Sequence, residues 1–260
     1  MNPVSISIAV LIATLVAAFV GFRFQRTPAL TQLDDGSRSA IKTALGFALT
    51  LTAVVFGMVT ASAKDTYDQA NELVGGLAID AITLDKVLDA YGPETAGLRQ
   101  QLKADLEYRI ERLEAPETYY LADLEAVQGI PRVEELYAAV TKLEPVGEYQ
   151  KDLKDRALDM IGGRMGYGEG NMAQKRWLFT VRPVSVPTIF LIVMVGSMAI
   201  EFFGFGLFSS PSRAASIAIV LSAIVVAGTM FLLLELDDPI DGYFRVSVEP
   251  LKRALALLNL

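Results

Sequence analysis

Four long apolar runs, at residues 3–22, 42–64, 184–208 and 214–234, set the terms for any fold this chain can take. An α-helix rises 1.5 Å per residue, so about 20 apolar residues cover the roughly 30 Å hydrocarbon core of a bilayer. Backbone inside lipid must satisfy its own hydrogen bonds, and within one segment only a helix does so. The sequence therefore predicts an all-α, polytopic membrane protein with four transmembrane helices and a long helical soluble segment between helices 2 and 3. The expected divisions are 1–63 for the first two membrane helices, 64–183 for an acidic soluble region, and 184–235 for the last two membrane helices. The remainder, 236–260, reads as an acidic, proline-bearing turn followed by an amphipathic C-terminal helix.

The run at 42–64, KTALGFALTLTAVVFGMVTASAK, is bracketed by Lys42 and Lys64, and its two faces differ. At 100° per residue, one arc of about 100° collects Lys42, Thr43, Gly46, Thr50, Ala53, Gly57, Thr60, Ala61 and Lys64, with no large side chain among them. Leu45, Phe47, Leu49, Leu51, Val54, Val55, Phe56, Met58 and Val59 fill the rest. Lipid tails accept leucine anywhere, so lipid gives no reason for this sorting. Two readings account for it: another helix approaching closely over the small residues, or a water-filled path lined by threonine hydroxyls with a cation at each mouth. Ala53, Gly57 and Ala61, four apart, fit a packing seam, and the residues alone leave both readings open.

Histidine and cysteine are both absent. That removes Ser-His-Asp and Cys-His nucleophiles, imidazole bases, Cys/His zinc sites, thiolate clusters and disulfides. The formal net charge of −7 belongs to one segment: residues 64–182 carry 15 Lys and Arg against 22 Asp and Glu, and the remainder is balanced. A surface that tracks phosphates is basic, so nucleic acid is not an expected partner.

The first run has no Lys or Arg before it and no small-x-small cleavage pattern before Arg23, which favours a retained helix over a signal peptide. A polar linker at 23–39 holds Pro28 and the Asp34-Asp35-Gly36-Ser37 turn signal. Beyond Lys64, the apolar positions Leu73, Leu77, Ala81, Leu84, Leu88 and Tyr91 keep helical spacing, so the second membrane helix is expected to run on into water, with Gly75-Gly76 as a kink point and Gly92-Pro93 as its stop. A further amphipathic helix at 94–114 carries Leu98, Leu102, Leu106, Ile110 and Leu113 along one side. Pro116, Gly129-Ile130-Pro131 and Pro145 punctuate shorter helices at 132–143 and 149–161. The 162–170 stretch, GGRMGYGEG, lacks the Gly-Lys-Ser/Thr and preceding strand of a phosphate loop and reads as a linker. Gln174-Lys175-Arg176-Trp177 and Arg182-Pro183 form a basic, aromatic collar suited to lipid headgroups. The third run holds Pro187 near its start and, further in, Glu201, an intramembrane acid that needs a proton, a partner or water. Lys and Arg near the membrane favour the side of the termini and the long segment, predicting both as cytoplasmic.

After the fourth run comes Glu235-Leu236-Asp237-Asp238-Pro239-Ile240-Asp241-Gly242-Tyr243-Phe244-Arg245-Val246-Ser247-Val248-Glu249-Pro250-Leu251. Asp-Pro ends a helix and Gly242 lets the chain turn, while Ser247 is placed to cap a helix over 248–258 whose Leu251, Leu255 and Leu258 form one apolar face. That helix is expected to lie on a surface. The stretch resembles the closing signature of the bacterial bestrophin-like domain family, carried by Glu235, Asp237, Asp238, Pro239, Asp241, Gly242, Arg245, Glu249 and Pro250. A similar pattern occurs in bestrophin anion channels. The order of two spans, a long helical segment, two spans and an acidic tail agrees with both over essentially the whole chain, as do Gly46-Phe47 and Tyr67-Asp68. The resemblance implies a homo-oligomer, a pentamer in bestrophins, in which the second helix lines a pore for small anions. Lys42, Thr43, Gly46, Thr50, Ala53, Gly57, Thr60 and Lys64 would then face that pore. A calcium clasp of some bestrophins would fall on Glu235, Asp237, Asp238 and Asp241; read by themselves, these carboxylates are offset by Arg245, and no metal or other cofactor is expected.

The expected function is thus an oligomeric ion channel in the lipid bilayer with anion preference. The competing class is a membrane-anchored sensor or scaffold whose 64–183 region binds a protein partner. An enzyme would have to work through Glu201 or the Glu235 cluster with no histidine and no nucleophile motif, so none is expected.

Overall fold

A computed structural model describes residues 2–25, 27, 34–114, 133–162, 186, 188–210, 212–239 and 242–259. Pro28, Pro116, Gly129-Ile130-Pro131, the 163–170 part of the glycine-rich linker, Gln174-Lys175-Arg176-Trp177, Arg182-Pro183, Pro187 and Asp241 lie outside them. Among the described residues there are helices and no strand. In order they are α1 (Pro3–Phe24), α2 (Asp35–Tyr91), α3 (Ala96–Glu114), α4 (Val133–Thr141), α5 (Glu148–Ile161), α6 (Thr188–Phe208), α7 (Arg213–Asp237) and α8 (Glu249–Leu258). Four of them, α1, α2, α6 and α7, are long and apolar enough to cross a membrane. The chain divides into two compact units, one of residues 1–67 and 184–238 and the other of 68–183 and 239–260.

α2 has 57 residues, about 85 Å of helix, and contributes 35–67 to the first unit and 68–91 to the second. It begins at Asp35, seven residues before Lys42, because the stretch expected to be a linker turn is its cap. Asp34 Oδ2 accepts a hydrogen bond from Ser37 N at 3.2 Å, and the bonds from Ser37 hold that carboxyl below its usual range. The same short polar side chains close turns and satisfy the first N–H groups of helices. Helical structure continues through Gly75-Gly76 and stops at Gly92, whose φ of 141° is a conformation that favours glycine.

In the first unit, α1 packs against α6 and α7. Asn2 caps α1 by accepting from Val4 N at 3.1 Å, with Pro3 in the first turn where its missing N–H costs nothing. Gly21 and Gly206 let α1 and α6 touch backbone to backbone: a Cβ added at Gly206 would stand 2.0 Å from Ala18 O, and one at Gly21 would stand 2.2 Å from Phe203 O. The Phe24 and Phe203 rings meet edge to face, 6.0 Å between centres, beside this crossing. One apolar cluster gathers Val10, Met194, Met198, Met230 and Leu233, and another Ala18, Phe202, Ile219 and Ala223. α6 is helical from Thr188, and Val186, the residue before Pro187 in the sequence, lies outside the helix, since such a residue resists the helical region. α7 runs to Asp237, three residues past Leu234, and is stopped by Asp238-Pro239 for the same reason.

In the second unit, the periodic residues Leu77, Ala81, Leu84, Leu88 and Tyr91 of α2 are buried, as are Leu98, Leu102, Leu106 and Ile110 of α3. Arg99 of α3 grips Asp85 with two hydrogen bonds of 2.8 and 2.9 Å and also reaches Asp89. The bond from Asp85 raises the Arg99 guanidinium further above its already high range. Gln150 of α5 donates to Tyr91 O at 2.7 Å and to Glu94 Oε1 at 3.1 Å. Lys154 Nζ closes α4 by donating to Thr141 O and Leu143 O at 2.6 and 2.7 Å.

α8 differs from expectation in two ways. Val248, not Ser247, is its N-cap residue, and the Ser247 hydroxyl instead accepts from Glu249 N at 3.3 Å. Its apolar face is not open to a surface either: Leu251, Ala254 and Leu258 are buried, α8 packs on α3, and Lys252 pairs with Glu114. The face that suits a lipid boundary suits a neighbouring leucine-lined helix equally well.

Candidate functional site

Most of the strip on α2 is open, with Lys42 and Gly46 at its edge also bordering α6 and α7. Lys42, Thr43, Gly46, Thr50, Ala53, Gly57, Ala61 and Lys64 are exposed and Thr60 is half-buried. The opposite arc, Leu45, Ala48, Thr52, Phe56, Val59 and Ala63, is the half-buried or buried one. None of the 18-residue apolar window of α2 is buried (0%), against 28–33% in α1, α6 and α7. A Cβ placed at Gly46 or Gly57 would meet nothing within 4 Å. The seam that Ala53, Gly57 and Ala61 suggest has no counterpart helix among the described residues.

The strip's hydroxyls are nonetheless provided for. Thr43, Thr50 and Thr60 donate to the carbonyls of Ser39, Gly46 and Phe56, at 3.0, 3.0 and 2.8 Å. A threonine bonded to the preceding turn brings no unsatisfied donor into an apolar zone, and its oxygen can still accept.

Behind the strip, α2, α6 and α7 enclose a partly open cleft of about 450 Å³. Lys42, Leu45, Gly46 and Leu49 of α2 line it, with Glu201, Phe205 and Phe208 of α6 and Ala218 and Ile219 of α7. Glu201 is only 7% exposed. Thr52 is hydrogen-bonded to its carboxyl, while the Oε1 atom has no hydrogen-bond partner. Lys42 Nζ sits 5.7 Å from the centre of the Phe208 ring, within cation–π range. Gly204 makes room for α2, since a Cβ there would stand 2.6 Å from Leu45 Cδ1.

The residues of the C-terminal signature are divided between the two units. In the first, Glu235 is fully buried, Asp237 and Asp238 are half-buried, and Asp238 N donates to Glu235 O at 3.3 Å. In the second, Val246 N donates to the carbonyl of the buried Pro239 at 2.9 Å, and Gly242 is half-buried. Arg245 donates to Gly242 O at 3.1 Å and to Glu114 O, at the end of α3, at 3.2 Å. Glu249 pairs with Arg253 at 2.9 Å, with Pro250 in the first turn of α8. Among the described residues no group of three or more acidic side chains is disposed to hold a metal ion.

A model of the bestrophin-like domain family matches residues 8–251. The chain belongs to that family. No curated protein and no solved structure matches it. Membership and the four apolar helices together make this a bestrophin-like membrane protein.

Several residues that matter here carry no separate signal in the sequence. Gly21 and Gly206 are single glycines in different spans, and nothing local pairs them. Thr52 lies outside the small-residue arc, and only the fold brings it to Glu201. Arg99 was readable in part: at the spacing of one helical turn, Asp85 and Asp89 make a carboxylate pair that calls for a cation.

Proposed function

We propose that this chain is one subunit of a homo-oligomeric ion channel, pentameric and anion-conducting, in which the 42–64 strip of α2 from each copy surrounds a shared aqueous path. One observation carries the reading: most of the strip's small residues are exposed in the single chain, whereas Gly21 of α1 and Gly206 of α6 are closed backbone to backbone. Four helices with packed apolar contacts leave no separate conduit inside one subunit, so a path needs several copies of the same helix. Lys42 and Lys64 mark the two ends of the strip and would concentrate anions there. Family membership supports the same reading, because bestrophins are anion channels. The proposal places the protein in a bacterial inner membrane with both termini and the 64–183 region on the cytoplasmic side, and assigns it no enzymatic activity.

The test is anion flux from liposomes holding the purified chain, beside a mass measurement of the assembled particle. Flux from a defined oligomer that Thr50→Trp abolishes supports the channel. A folded oligomer that passes no ion under any gradient or voltage leaves the anchored sensor or scaffold.

A further inference from the structure

The cleft between α2, α6 and α7 is walled mainly by leucine, isoleucine, alanine and phenylalanine, with Ser209 and Ser222 among them, and a carboxyl group lines it. Glu201 is 7% exposed, and its Oε1 atom finds no partner among the described residues. A buried carboxylate oxygen in that condition is costly, and a proton, or a donor or positive charge brought in from outside, relieves it. At the other end of the cleft an ammonium group already rests on a ring face, that of Lys42 over Phe208 at 5.7 Å. The site therefore offers a cation two things at once, a carboxylate and an aromatic surface, within apolar walls. An anion would meet Glu201, and a neutral hydrocarbon would leave Oε1 as it is.

We propose that this cleft binds a hydrophobic amine: a protonated amino group on a compact apolar body, with the ammonium on Glu201 and the body against Leu49, Phe205 and Ile219. The volume of about 450 Å³ admits a cage or ring of that kind. Lys42, resting on the Phe208 ring, is then a like charge in the same cleft rather than a partner of the ligand. The proposal does not depend on conduction, since binding is measured with no current.

The experiment is calorimetric titration of the full chain in lipid nanodiscs with aminoadamantane, alongside the hydroxyl and carboxylate analogues of the same cage. Saturable amine binding is expected, with both analogues at least about tenfold weaker, because an ammonium–carboxylate bond is roughly twice as strong as a neutral one. Glu201→Gln keeps the shape and is expected to weaken the amine by about tenfold or more. Lys42→Gln is expected to tighten it about threefold by removing a like charge from the cleft. Ala218→Phe, which fills the cleft from α7, is expected to abolish binding and provides a second line of evidence should the Gln variant not fold. Equal affinity for amine and alcohol, undiminished binding in Glu201→Gln or Ala218→Phe, weaker binding in Lys42→Gln, or no saturable binding to folded protein would each overturn the proposal.

Discussion

Two faces of this molecule are built from the same small residues and do opposite things. On α1 and α6, Ala18, Gly21 and Gly206 bring two backbones into contact, with no room for a methyl group at either glycine. On α2, Ala53 is exposed, and a Cβ at Gly57, or at Gly46 beside the cleft, would meet nothing within 4 Å among the described residues. Smallness by itself therefore does not mark a seam. It permits close approach, and whether anything approaches depends on the neighbouring element. The first face is explained within one subunit, whereas the second needs something beyond it, water or another copy.

The sharpest way to break this contrast is to add a single carbon to each face. Gly206→Ala would drive a methyl group into Ala18 O and Phe22 N, both backbone, and neither helix can yield without losing its partner. We expect a loss of about 3 kcal/mol or more, at the upper end of what overpacking costs, read as a collapse of the thermal unfolding transition in detergent. Gly57→Ala should change stability by no more than about 0.5 kcal/mol, or improve it through helix propensity. A comparable loss at Gly57 would mean that a second helix seals the strip, and the two faces would be alike after all.

Next in size is the effect on transport. Thr50→Trp adds bulk to an exposed position, so the fold and assembly should survive while liposome anion flux drops by about tenfold or more. The same substitution at Ala18, which is 2% exposed, should instead prevent folding. A weaker but more direct probe uses the absence of native cysteine. A water-borne thiol reagent should modify Thr50→Cys and Gly57→Cys in the assembled protein and leave Ala18→Cys unmodified. Protection of all three would place the α2 strip in a dry interface and remove the pore.

How much of this was legible beforehand follows from where each signal resides. The four spans are written as uninterrupted apolar runs, and the continuation of α2 to Tyr91 as a 3.6-residue period, so both survive translation into structure. The start of α2 was misplaced because an Asp-Gly-Ser turn and an Asp cap use the same chemistry, and only the backbone decides between them. Ser247 illustrates the same ambiguity at α8, where its hydroxyl engages Glu249 N yet the cap position is Val248. Pairings across long separations were out of reach. Gly21 with Gly206, and Thr52 with Glu201, are produced by the packing of helices and leave no pattern along the chain.

The smallest effects concern the hydroxyl groups, and they test whether the two faces differ in chemistry as well as in space. Thr14 on α1 is fully buried and donates to Val10 O at 2.9 Å, while Thr50 on α2 makes the same bond to Gly46 O at 3.0 Å but is exposed. Either carbonyl keeps its helical N–H when the hydroxyl is removed, so valine leaves no orphaned group at either site. Thr14→Val should therefore cost at most about 1 kcal/mol and leave flux unaltered. Thr50→Val should cost nothing measurable in stability, yet reduce flux by a few-fold, because it removes an oxygen that accepts from water in the path. If the two valines are equally silent in flux, the exposed hydroxyls serve only to satisfy the helix, and the strip is apolar space in which threonine is tolerated.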